Sequence, residues 1–274
     1  NSDMGAGTTE DAAGARSDTV MLVNIPANRE RVVGVSFPRD LEIEPMKCEP
    51  WDPRTREYGP ITDPDSPMYG ADEVYTEYKL NSAYAVGGPK CLVKVIQKIS
   101  GLSINRFMAV DFAGFSKMVD ALGGVEVDVE KNVAAAMTPP IRSGKQTLNG
   151  QQAVMYARVR KVSGGDFGRT ARQRKIMKAI VNGLSDASLD EALRLAGIMP
   201  QYVRTNFTSA EILSLANTAF SMRNAQVYEM QIPQQGTYKM VSYKKMSVLR
   251  ADLDANARAL HDFILGKVTG DIVE

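Results

Sequence analysis

The chain has 274 residues, 44% hydrophobic and 24% charged, with 33 Lys and Arg against 32 Asp and Glu. This size and mix suit a folded protein with a full core, and the near-neutral balance argues against a domain-wide nucleic-acid footprint. No uninterrupted apolar stretch approaches the eighteen or so residues of a membrane span, and no signal peptide is visible where Asn1 opens onto a polar segment.

In chain order, residues 19–26 (TVMLVNIP) and 31–37 (RVVGVSF) are rich in β-branched side chains and predict a hairpin. Residues 41–78 turn polar and irregular, with prolines at 45, 50, 53, 60, 64 and 67, as expected of a lid or an exposed insertion. A helix over about 89–100 places Leu92, Val95, Ile96 and Ile99 on one face. A strand at 106–112, a helix at about 113–122, a Gly-Gly break and a strand at 125–129 predict an α/β layer. Thr147 is expected to cap a helix running to about Tyr156, and a long helix follows from Arg169 to Leu184. Thr208 and Glu211 form a capping box opening a helix to about Phe220. A strand at 226–232 and an amphipathic helix at 249–265 complete the prediction. Gly87-Gly88, Gly123-Gly124 and Gly164-Gly165 match no phosphate-binding glycine fingerprint and read as helix ends and turns.

Cys48 and Cys91 stand 43 positions apart, with no CxxC pair. With His261 the only histidine, a zinc set is not available. Two thiols fit one disulfide in an exported protein, or else two unrelated buried thiols. His261 lies in a helical pattern where a packing role is the default, and no Gly-x-Ser-x-Gly elbow accompanies it. Chemistry therefore falls to carboxylates, arginines and a metal.

Charge is concentrated in one place. Tyr156 to Lys175 holds seven Arg or Lys residues and one acid, Asp166. On a helix starting near Arg169, that residue shares a face with Gln173, Ile176, Ile180 and Leu184, while Arg174, Lys175 and Lys178 face away. An inward guanidinium needs an anionic partner. Asp166 could supply an internal salt bridge, but one acid does not satisfy Arg158, Arg160 and Arg169 together, which favours an anion site. Arginine and aspartate also flank the hairpin strands: Arg16 and Asp18 before the first, Arg39 and Asp40 after the second, with Asp3 near the start. Singly these read as solvated turn residues. With the basic segment they suit a phosphate group plus a divalent cation.

The ordered blocks RSDTVMLV, VSFPRD, KLNSAYAVGG, GLSINRFMAVDFAGFSKMVDALGGVEVDV, LNGQQAVMYARVR and GDFGRTARQRKIMKAI resemble the LytR-CpsA-Psr family of cell-wall glycopolymer ligases, from Asp3 to about Leu184. The Cys48/Cys91 pair and the 41–78 insertion lie outside its minimal pattern and hint at an actinobacterial member. The resemblance implies an α/β fold, an α/β/α sandwich with a central mixed β-sheet, an apolar lipid pocket and a peripheral hairpin and insertion. It implies a single domain over 1–274, whose motif-bearing core spans 3–184 and whose C-terminal part spans 185–274. The implied activity is a phosphotransferase moving a phosphoglycan from a polyprenyl-pyrophosphate carrier to peptidoglycan, with possible pyrophosphatase side activity. The protein would be an extracytoplasmic monomer tied to the membrane by an N-terminal anchor.

The implied cofactor is Mg²⁺, held by Asp18 and Asp3. Arg16, Arg39, Arg158 and Arg160 would hold the pyrophosphate, with Arg169 and Gln173 from the Asp-x-x-Arg-x-x-x-Gln pattern that Asp166 begins. Lys79 would also face the anion, and Asp166 or Asp40 would serve as general base. Rival readings are a pyrophosphohydrolase acting on lipid-linked pyrophosphates, a nucleic-acid-binding regulator using residues 156–175, and a non-catalytic lipid-binding module.

Overall fold

The computed structural model describes residues 17–66, 68–159, 162, 165–188, 191, 194–195, 197, 201–221, 226–233, 238–243 and 246–266. They fall into two compact units, one within Asn1–Phe107 and Ala225–Glu274, the other within Met108–Asn224. The fold is mixed α/β in both.

In the first unit the expected hairpin forms as β1 (Val20–Asn24) and β2 (Arg31–Phe37), antiparallel with Val20 opposite Phe37 and Asn24 opposite Val33. On its other side β2 pairs in parallel with β9 (Gln226–Gln231), so the three-stranded sheet is mixed and β2 is its centre. A central strand has both faces covered, which is why β2 is a nearly continuous run of Val, Gly and Phe rather than an alternating one. Val33, Val35 and Phe37 are buried there with Leu80, Val95, Ile96, Ile99, Leu260 and Phe263.

Helix α1 (Leu80–Ser100) starts nine residues before the expected position, and Gly87 and Gly88 depart from helical geometry within it. The break explains how Pro89 is tolerated: it stands in the first turn after the break, where its missing N–H costs little. Gly101 closes the helix at φ 69°, its N–H donating to the Gln97 carbonyl.

The proline-bearing 41–78 segment is pinned rather than loose. Its short strands β3 (Lys47–Cys48) and β4 (Val74–Tyr75) pair antiparallel. Cys48 and Cys91 are bridged, as one of the two sequence alternatives required. Trp51 is buried, its ring edge-on to Tyr84 at 5.2 Å between centroids. The same indole covers Gly88, where a Cβ would lie 2.6 Å from the ring at a backbone φ of +56°. Only glycine fits both the angle and the space.

The C-terminal region differs from expectation. Residues 249–251 belong to strand β11 (Met246–Ala251), antiparallel to β10 (Tyr238–Tyr243). The final helix spans Leu253–Ile264 and is capped by Asp252, whose carboxylate accepts from the Ala255 N–H. A capping carboxylate placed one residue before the periodic run decides that boundary.

In the second unit β5 is shorter than expected, Met108–Val110, because Asp111 caps α2 (Phe112–Ala121) by accepting from the Gly114 N–H at 2.7 Å. It pairs with β8 (Val203–Thr205). Strand β6 (Val125–Val129) alternates buried Val with exposed acids and pairs with β7 (Gly144–Leu148). Thr147 therefore lies in a strand. Asn149 caps α4 (Gly150–Arg158) instead, in a reciprocal capping box with Gln152. The short helix α3 (Lys131–Ala136) lies between β6 and β7. Helix α5 runs Gly165–Asp186, and the Thr208–Glu211 box opens the helix Ser209–Ser221 as expected. The core here gathers Val119, Val125, Val127, Leu148, Tyr156, Ile176 and Ile180.

Candidate functional site

In the first unit the hairpin register carries the candidate residues together. Two positions beyond the Val20–Phe37 pair, the same register sets Asp18 against Arg39. The Arg39 guanidinium meets Asp18 Oδ1 at 3.0 Å, and its Nε makes an ion contact with Asp40 Oδ2 at 3.4 Å. The start of α1 is stitched alongside: the Leu80 N–H donates to the Leu41 carbonyl and the Asn81 N–H to the Arg39 carbonyl, each at 3.0 Å. This delivers Lys79 to Asp40, Nζ to Oδ1, at 2.7 Å. The result is a chain of alternating charge, Asp18–Arg39–Asp40–Lys79, built from three separated sequence blocks.

Side-chain exposure along this chain is 12% for Asp18, 24% for Arg39 and 19% for Asp40 and Lys79. Charges so placed are screened less than open surface pairs yet stay reachable from solvent. Ser17 and Asn81, both buried, keep a side-chain oxygen without a hydrogen-bond partner among the described residues. Buried polar atoms are normally satisfied, so two orphans flanking this ion chain mark a place for a polar guest. Sequence reasoning missed both, although they adjoin Asp18 in RSDT and lie two positions from Lys79 in KLNSAY. Asp3 and Arg16 lie outside the described residues.

In the second unit Arg158 ends α4, exposed, with its guanidinium 4.7 Å from the centroid of the Phe112 ring. Along α5, Arg169 is buried on the face of Ile176 and Ile180 and Lys175 is exposed, as the helical face predicts, whereas Arg174 and Lys178, expected to face away, are half-buried like Gln173. Arg172 is buried as well, and sequence reasoning passed over it, although three positions after Arg169 it shares that face. Its guanidinium donates to the Val159 carbonyl. Burial pushes the Arg172 guanidinium below its ordinary value, opposed by Tyr156 and Glu130. Arg160 lies outside the described residues, as does the side chain of Asp166.

Next to Arg172, the Tyr156 hydroxyl donates to Glu130 Oε2 at 2.9 Å and Lys175 donates to Glu130 Oε1 at 2.5 Å. Burial works against the Glu130 carboxylate, but the hydrogen bonds from Lys175, a backbone amide and Tyr156 hold its pKa below the ordinary value. Burial and the Glu130 carboxylate push the Tyr156 hydroxyl up. His261 has a packing role: its Nε2 donates to the Ser100 carbonyl at 2.7 Å.

For Mg²⁺ the donor chemistry fits. Asp18 offers hard carboxylate oxygen beside the orphaned Ser17 hydroxyl, and Mg²⁺ typically takes one or two carboxylates and completes its shell with phosphate oxygens and water. Among the described residues no three His, Cys, Asp or Glu side chains converge into a cage. No described helix is long and apolar enough to cross a membrane.

A profile of the LytR_cpsA_psr family matches residues 3–261. Regulatory protein MsrR of Staphylococcus aureus is 33% identical over 255 residues, 91% of this chain and 69% of that protein. The polyisoprenyl-teichoic acid–peptidoglycan teichoic acid transferase TagU of Oceanobacillus iheyensis is 30% identical over 213 residues, 76% of this chain and 59% of that protein. TagV of Bacillus subtilis, named for the same transfer, is 27% identical over 208 residues, 73% of this chain and 47% of that protein. The crystal structure of B. subtilis TagV superposes with a TM-score of 0.68 at 24% identity, covering 98% of this chain and 95% of that one. A structure of TagT bound to LIIa-WTA gives 0.67 at 21% identity, covering 92% and 86%. Both structures share the fold.

Proposed function

The chain belongs to the LytR_cpsA_psr family, and from that premise we propose that it is a phosphotransferase moving a phosphoglycan from a polyprenyl-pyrophosphate carrier onto peptidoglycan. The relatives TagU and TagV are named for a reaction of this kind. The observation that carries the reading is the ion chain in which Arg39 is held between Asp18 and Asp40, with Lys79 on the far carboxylate.

The acceptor sugar hydroxyl attacks the phosphorus that bears the glycan. A new P–O bond forms, the P–O bond to the bridging oxygen breaks, and polyprenyl phosphate leaves. Negative charge grows on the bridging and non-bridging oxygens, where cations fixed in advance stabilise it without reorganising. Arg39 and Lys79, oriented at rest by their carboxylates, are proposed to exchange those partners for phosphate oxygens. Arg158, Arg160, Arg169 and Gln173 are assigned to the anion by their motifs, as is Arg16. Mg²⁺, when bound at Asp18 and Asp3, supplies further charge neutralisation to the pyrophosphate. The hydroxyl proton passes to a carboxylate, Asp166 or Asp40. The isoprenoid tail calls for an apolar channel, and the substrates place the reaction at the envelope face of the cytoplasmic membrane.

The test is a transfer assay with a polyprenyl-pyrophosphate-linked oligosaccharide and a peptidoglycan fragment, read by product mass, with Mg²⁺ or EDTA. Wild type joins the two, while Asp18→Ala and Arg39→Ala lose at least about two orders of magnitude, as when a transition-state charge partner is removed. Release of glycan phosphate with acceptor ignored would establish the pyrophosphohydrolase instead. Full turnover in EDTA would remove the metal, and an inert wild type would sink the ligase reading.

A further inference from the structure

We infer that Arg172 is a positioning residue that sets the Arg158-bearing end of α4 for anion binding, an inference that rests on the proposed reaction. Three observations lead to it. Arg172 is 5% exposed, so its whole side chain is committed to the interior of the second unit. Its guanidinium donates to the carbonyl of Val159, the residue that caps α4 and follows Arg158 directly. Its Nε is buried with no hydrogen-bond partner among the described residues.

A helix C-terminus leaves carbonyls unsatisfied, and a cation there meets both the free lone pairs and the negative end of the helix dipole. Most helices solve this with glycine or with an exposed Lys or Arg. A buried arginine is an expensive solution, since its charge is desolvated and one donor goes unused; an apolar side chain of equal length often does as well for stability or better. What a buried guanidinium supplies that an apolar residue lacks is a fixed direction. The planar group is held where Tyr156 and Glu130 interact with it electrostatically, while Glu130 is itself tied to Lys175 farther along α5. From there it locks the Val159 carbonyl, and thus the backbone one residue beyond Arg158, where the chain leaves α4.

Arg158 is also held through its side chain, its guanidinium lying over the Phe112 ring at 4.7 Å from the centroid. Arg158 is therefore steered at two points, by the aromatic face beneath its guanidinium and by the anchored carbonyl next to its own backbone. Groups meant to meet developing charge must be held to within a fraction of an ångström.

The experiment compares Arg172→Met, Arg172→Lys, Arg158→Ala and the Arg158→Ala/Arg172→Met double variant in the full chain. Binding of inorganic pyrophosphate is measured by calorimetry with Mg²⁺ present, beside thermal unfolding. Arg172→Met keeps the length and apolar stem but loses the donor. It is expected to unfold at or above the wild-type temperature while binding pyrophosphate about tenfold more weakly. Arg172→Lys, which retains a donor, is expected within about threefold of wild type. The double variant should bind no worse than Arg158→Ala alone, because the two residues act through one contact.

Wild-type affinity in Arg172→Met, or losses that add in the double variant, would overturn the positioning role while leaving the anion site intact. A wild type that binds no pyrophosphate would remove the anion site and this role together. If Arg172→Met does not fold, Arg172→Lys decides: affinity as low as in Arg158→Ala overturns the rescue on which the role depends.

Discussion

Breaking the Cys48–Cys91 bridge tests how the 41–78 segment is held. The bond spans 43 positions and joins the short strand β3 to the second half of α1. In the chain-entropy description, a closed loop of that length removes about 13 cal/mol/K from the unfolded ensemble, or about 4 kcal/mol at 25 °C. Other contacts also tie the segment to α1: the Trp51 N–H donates to the Val86 carbonyl, the Trp51 ring packs on Gly88 and Tyr84, and Lys90 and Lys98 pair with Glu49 and Glu44. The exposed ion pairs add little, so the bridge remains the main constraint on the unfolded chain. Both cysteines are buried, at 7% and 2% exposure, so Ala is the right replacement; Ser would strand a hydroxyl. The Cys48→Ala/Cys91→Ala variant should lose about 4 kcal/mol in urea unfolding, within the 2–5 kcal/mol range for native disulfides. Its m-value should rise as the unlinked chain expands. Alkylation without reductant, followed by intact-mass measurement, first confirms that wild type has no labelled thiol. Two labelled thiols, or a double variant within about 1 kcal/mol of wild type, would refute the reasoning.

Gly88→Ala should destabilise by about 2 kcal/mol or more, because a Cβ meets the Trp51 ring at a backbone angle that already disfavours side chains. Trp51 is the only tryptophan, so its fluorescence reports the shift directly. Arg39→Ala leaves Asp18 and Asp40 without their shared cation. It should lower stability by about 1–3 kcal/mol, and urea titrations at low and high salt would contradict this if they showed no loss in either. For Glu130, the folded-state pKa lies below the ordinary value of about 4.5, so its contribution is present above that pH and is lost as pH falls through the folded value. Acid unfolding of Glu130→Gln should then be shallower than that of wild type, and superimposable acid limbs would show that the Lys175 and Tyr156 bonds add nothing.

How much of this was legible in the chain depends on the range over which each feature is decided. The hairpin, the Thr208–Glu211 capping box and the inward face of α5 are local, since period-2 and period-3.6 patterns and caps act within a few residues. Asp18 and Arg39 belong with them, because an antiparallel register with a short turn sets one against the other. Cysteine count alone narrowed the covalent question to a single bond.

Other features needed the tertiary structure. Parallel pairing of β2 with β9 joins residues nearly two hundred positions apart, and no local pattern selects that partner. Lys79 reaches Asp40 only because the α1 start is hydrogen-bonded to the chain after β2. Asn149 rather than Thr147 caps α4 because Thr147 is drawn into the ladder with β6. Arg172 looked like one more cation in a basic run until packing buried it against Val159. Short-range sterics and hydrogen-bond geometry choose the elements, whereas burial chooses their partners, and burial depends on the whole chain at once.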